Sequence, residues 1–147
     1  MKIKTLVLLI LAIPFLVIAQ NKQDYVWFFS RDNDFTMEGI QSYRFDFKDT
    51  IFDIKLGVSA FAIDNNNASI CDEEGNLLIY TNGCAVANAL DQMMPNGDSI
   101  NAGVFLYDFW DGCEYGYPGI QNIMIINDPG NSYGYYIIHK PIYLEST

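Results

Sequence analysis

Ala68-Ser69-Ile70-Cys71-Asp72-Glu73-Glu74-Gly75-Asn76-Leu77-Leu78-Ile79-Tyr80-Thr81-Asn82-Gly83 is the stretch that decides the fold. Residues 68–72 read as a strand that runs into Glu73, Glu74, Gly75 and Asn76, a tight turn whose glycine takes positive φ without steric cost. Residues 77–81 form the next strand, and Asn82-Gly83 is a strong hairpin signal. The expectation is a three-strand antiparallel meander. Its middle strand is apolar on both faces, because Leu77, Leu78, Ile79 and Tyr80 show no alternation.

The flanking sequence repeats this rhythm of short strands and turns. Upstream, residues 25–29 read as a strand, followed by a polar loop through Arg31, Asp32, Asn33 and Asp34. Tyr43, Phe45 and Phe47 alternate with Arg44 and Asp46, and Phe52, Ile54 and Leu56 alternate in the same way, the signature of half-buried strands. Residues 58–63 predict a further strand. Downstream, residues 123–126 and 135–138 flank a turn at Asp128-Pro129-Gly130-Asn131, and both are apolar without alternation. The sequence holds no amphipathic helix longer than two turns; residues 85–90 suit a short one.

Strands apolar on both faces need cover on both sides, and this sorts the architectures. A two-sheet sandwich wets one face of each sheet, so its strands alternate. Stacked blades of a β-propeller cover both faces, and parallel α/β sheets need crossover helices that are missing here. The predicted class is therefore all-β, built of antiparallel meanders that form the first blades of a β-propeller-like domain, with a β-sandwich as the alternative. Few blades fit into this length, and residues 141–147 follow the last strand without a cap or a polar tail. The domain is therefore expected to continue beyond residue 147 and to pack against the rest of the same polypeptide.

The N-terminus reads as an export signal. Lys2 and Lys4 precede thirteen apolar residues, 6–18, and Val17 and Ala19 are small residues placed for cleavage before Gln20. Thirteen residues are too few to span a bilayer, so a membrane anchor is the weaker reading. The division is then residues 1–19 as signal peptide and 20–147 as the β-domain. Removing the signal takes two of the eight basic residues and none of the eighteen acidic ones, so the net charge moves from −10 to −12. Ten carboxylates and no Lys or Arg lie between Lys55 and Lys140. Such a surface repels nucleic acid and anionic lipid, so neither nucleic acid nor, after signal removal, a membrane is an expected partner.

The quoted stretch resembles the "sI-D-nGnLLfYTNG" segment of large secreted surface proteins exported by the type IX secretion route, which often end in a gliding-associated or sorting domain. Met94-Pro95-Asn96-Gly97-Asp98 resembles the "MpNGd" that follows it there. Gln121 onward, with Asp128-Pro129-Gly130 and Tyr135-Tyr136-Ile137-Ile138-His139-Lys140, is similar to "Q-iiivp-PG…YYlFh". Trp27-Phe28-Phe29 looks like the opening "W-fG", with Ser30 in place of the glycine. The resemblance implies the first blades of a propeller-like domain on a secreted or cell-surface protein. It also implies O-glycosylation of Ser or Thr after Asp, which here designates Thr50 and Ser99.

The chain has three cysteines in an export context where disulfides persist. Cys71 and Cys84 flank the meander on its outer strands, roughly 9–10 Å apart at ~4.8 Å per strand. A disulfide needs Cα atoms within about 7 Å, so Cys84 with Cys113 is the preferred pair. No CxxC spacing accompanies the lone His139, which reads as a packed or rim residue. Calcium could find oxygen ligands in residues 64–67 and 96–98, against the plainer reading of Asn and Asp bonding their own turns. No cofactor is expected otherwise.

A Ser-His-Asp or Cys-His site would have to use His139, and no nucleophile elbow, phosphate loop or dinucleotide fingerprint is present. Asp72, Glu73 and Glu74 sit together on a turn, an open setting that does not tune carboxylates for acid catalysis. The expected function is a non-catalytic module of a secreted or surface protein, acting as a scaffold or in binding a glycan or a surface protein. Its contact candidates are Phe105, Tyr107, Trp110, Tyr115 and Tyr117, with core packing as the competing role. The alternative is the N-terminal part of a secreted enzyme whose catalytic residues lie downstream.

Overall fold

A computed structural model describes residues 22–30, 41–49, 51–63, 66–109 and 116–141. Among these residues eight strands and one short helix follow in order: β1 (Val26–Ser30), β2 (Gln41–Asp46), β3 (Asp53–Val58), β4 (Ala68–Cys71), β5 (Leu77–Thr81), β6 (Val86–Asn88), α1 (Val104–Phe109), β7 (Ile123–Asn127) and β8 (Tyr135–His139). All pairings are antiparallel between sequence neighbours, and they give sheets β1-β2-β3, β4-β5-β6 and β7-β8. The fold is all-β.

The central meander forms where the sequence places it. Asp72 closes the β4–β5 turn: its carboxylate accepts the Glu74 and Asn76 backbone N–H groups at 3.0 and 2.8 Å and the Asn76 carboxamide at 2.9 Å. Those bonds, the Asn76 side chain first, hold the Asp72 carboxyl below its ordinary pKa. Gly75 sits at φ +85°. The Asn82-Gly83 turn is longer than a two-residue hairpin, because Thr81 pairs with Val86 and leaves residues 82–85 in the loop. Asn82 Oδ1 accepts the N–H groups of Cys84 and Ala85 at 3.0 and 2.9 Å, and its amide donates to the Ala62 carbonyl at 3.0 Å. A tertiary bond therefore opens the turn.

The middle sheet is covered on both faces. Cys71, Tyr80 and Ala87 join Val26 and Phe28 of β1 in one core cluster with Phe61 and Ile63. On the opposite side Ile70, Thr81 and Val86 are also buried, and β7 lies beside β4. Asn66 fastens that side, donating to the Tyr117 carbonyl at 3.3 Å and accepting the Asn122 N–H at 2.9 Å. Each fully buried large apolar side chain of this kind contributes roughly 1.5–3 kcal/mol.

Three local expectations are corrected. Residues 59–63 are not a strand, because side chains meet their backbone groups: the Ala60 N–H donates to the Tyr80 hydroxyl at 2.9 Å, Ser59 Oγ donates to the Phe61 carbonyl at 2.7 Å, and the Ala62 carbonyl takes the Asn82 amide. Residues 85–90 are not helical, since the ladder with β5 and the bonds Val86 N–H to Gly97 O (2.7 Å) and Met94 N–H to Val86 O (2.9 Å) claim the backbone. The helix is α1, inside the stretch read as an aromatic loop, where Leu106 reaches the cluster of Cys84 and Tyr117.

Candidate functional site

The orientation of the first sheet creates the most distinctive surface. Register pairs Trp27 with Phe45 and Ile54 on one face, and Phe29 with Tyr43 and Leu56. The other face carries Val26, Phe28, Arg44, Asp46, Asp53 and Lys55. Alternation predicts the uniformly apolar face of β2 and β3 to be the inner one. The structure turns it outward: Phe28 is 3% exposed, whereas Phe29 is 47% exposed.

Contacts on the inner face explain the choice. Phe28 stacks on Tyr80, and the Arg44 guanidinium lies 5.0 Å from the Phe28 ring centre. Arg44 also pairs with Asp91 at 3.1 Å, and Asp91 accepts the Tyr80 hydroxyl at 2.8 Å. Lys55 reaches Asp46 at 3.3 Å and Asp53 at 3.7 Å. The inner charges of β2 and β3 thus reach beyond the core and find partners at its edge, each worth little alone. What orients the sheet is β1, which buries Val26 and Phe28.

On the outer face Trp27, Phe29, Phe47, Phe52, Ile54 and Leu56 are each between 38% and 61% exposed. With roughly 150–250 Å² per aromatic side chain, the patch presents on the order of 600 Å², at the upper limit for a monomer surface. Two of its ring pairs meet edge to face, and Phe47 stacks on Phe52 with centres 6.1 Å apart. Trp27 and Phe47 stand 5.3 Å apart at 64°, and Phe29 and Phe45 stand 5.0 Å apart at 76°. A smaller apolar face lies on the β7–β8 hairpin, where Met124 pairs with Ile138 and Ile126 with Tyr136, all four exposed.

The residues singled out from sequence fall elsewhere. Tyr117 is buried, its ring edge-on to His139 with centres 6.4 Å apart, so it belongs to the core rather than to a contact surface. Phe105 and Tyr107 lie in α1, while Trp110 and Tyr115 lie outside the described residues. Ser99 is exposed with φ +54°; Thr50 lies outside the described residues. Cys71 is a buried free thiol and burial pushes its pKa up. Cys84 is fully buried and not free, and Cys113 lies outside the described residues. Both polar ends of the Asn66 side chain are engaged by backbone groups. Among the described residues no three of His, Cys, Asp and Glu gather as a metal site.

The outer face was missed because the sequence reading assigned its alternation to the core. The available signal was β1 itself, whose residues Val26, Trp27, Phe28 and Phe29 are apolar on both sides, so that one face must look outward unless a further layer covers it. No protein family, curated protein or solved structure matches the chain.

Proposed function

We propose that this chain is a non-catalytic module of a secreted or cell-surface protein, and that it works by docking protein through the outer face of β1–β2–β3. The observation that carries the reading is that face: a contiguous, largely exposed apolar surface on a sheet whose first strand packs Val26 and Phe28 into the core on its other side. Protein is favoured over glycan as the partner because of how the rings lie. Sugar platforms offer a ring face next to hydrogen-bonding groups, whereas here Trp27–Phe47 and Phe29–Phe45 meet edge to face, Phe47 and Phe52 stack on each other, and the aliphatic Ile54 and Leu56 lie among them. The N-terminal signal pattern and the resemblance to type IX exported proteins support the location. Successive small sheets with the middle one covered on both sides support a propeller-like arrangement.

Binding of the purified chain to the cells that produce it tests the reading. Retention is expected to be saturable and to disappear when the cells are treated with protease, and a glycan array is expected to stay blank. Protease-resistant retention on surface polysaccharide would instead assign the module to glycan.

A further inference from the structure

We infer that the outer face of β1–β2–β3 is the interface of a two-fold dimer, in which a second copy of this chain lays the same face against it. The inference rests on the docking reading above and names the partner. Area is the first ground. About 600 Å² from each copy buries roughly 1,200 Å² in total, the lower bound of a specific, stable interface. The four-residue face of β7–β8 is smaller and falls short of that bound.

Charge is the second ground. Residues 20–58, which contain all of this sheet, carry five basic and seven acidic side chains. Residues 59–147 carry one basic and eleven acidic. Two copies meeting sheet to sheet bring their nearly neutral ends together and keep the acidic remainder apart. A head-to-tail contact through β7–β8 would press one copy's acidic end on its neighbour.

Shape is the third. Two antiparallel sheets pack with their inner side chains interdigitated about 10 Å apart, and the dimer would be a sandwich of that kind.

Sedimentation of the full chain across micromolar concentrations tests this. The wild type is expected to be a dimer. Trp27→Asp and Leu56→Asp should each weaken it by about 30-fold or more, the loss typical of a central contact, and Met124→Asp should leave it unchanged. Protection of the buried Cys71 thiol from alkylation shows that each variant is folded. A monomeric wild type, or a dimer loosened equally by Met124→Asp, overturns the assignment. Phe29→p-benzoylphenylalanine, irradiated in the producing cells, separates this failure from failure of the docking reading. Adducts to β1–β3 of a second copy support the dimer. Adducts to a different protein overturn the dimer but keep the docking reading, and no adduct overturns both.

Discussion

The rings of Phe28 and Tyr80 stack between the first two sheets, with centroids 4.5 Å apart and planes 23° from parallel. That contact decides which face of β1 enters the core. Phe29, the next residue along the strand, points the other way. Phe28→Ala is therefore expected to cost about 3–5 kcal/mol, the usual loss for a buried phenylalanine. Phe29→Ala in dilute protein should stay within about 1 kcal/mol. Urea denaturation of the two variants checks the orientation, and equal losses would contradict it.

Tyr80 couples that stack to polar groups. Burial pushes its phenol well above the ordinary tyrosine value; the Ala60 N–H opposes that rise, and donation to Asp91 adds to it. A raised folded-state pKa contributes stability that is complete below the unfolded value of about 10 and is lost as pH climbs towards the folded value. The urea midpoint should thus fall between pH 9 and strongly alkaline solution. Tyr80→Phe should lower stability near neutrality by about 1–3 kcal/mol, since the Ala60 N–H loses its acceptor, and should flatten the alkaline decline. A variant as steep as the wild type would remove Tyr80 as the cause.

Gly83 combines two constraints. Its φ is +84°, and a Cβ there would stand 2.6 Å from the Tyr117 Cβ. Gly83→Ala is expected to destabilise by about 2 kcal/mol or more, through backbone strain and the collision together. Gly57→Ala is the control, because nothing lies within 4 Å of its Cβ position. Thermal melts should place Gly57→Ala near the wild type and Gly83→Ala well below it.

The thiols give a chemical test of the proposed Cys84–Cys113 bridge. Iodoacetamide should label no cysteine of the native protein, since Cys71 is buried and its pKa is raised by that burial. After denaturation without reductant it should label Cys71 alone. The bridge would close a loop of about 30 residues, for which chain entropy gives roughly 3–4 kcal/mol, so reduction should lower the melting temperature. Peptide mapping that finds Cys71 in a disulfide would reject the pairing.

The strands and turns of this protein were legible in its sequence because they depend on neighbours. Asp72 bonds within four residues of itself, the turn after Asp128 is closed by that residue's own carboxylate and carbonyl, and the strands around both turns lie close to where their patterns place them. The all-β class and the covered middle sheet followed from the same local patterns. What the sequence did not determine is the direction each sheet faces. A period-two pattern looks the same from either side, and with β1 apolar at Val26, Trp27, Phe28 and Phe29 either face could have become the inner one. Tyr80, some fifty residues away, decided it by offering a ring to Phe28 and, through Asp91, a partner to Arg44. The same distant contacts kept residues 59–63 out of a strand, opened the Asn82-Gly83 turn and drew Tyr117 inward. Local chemistry set where the chain turns, and the burial of particular rings, available only after collapse, set which aromatic surface was left to the outside.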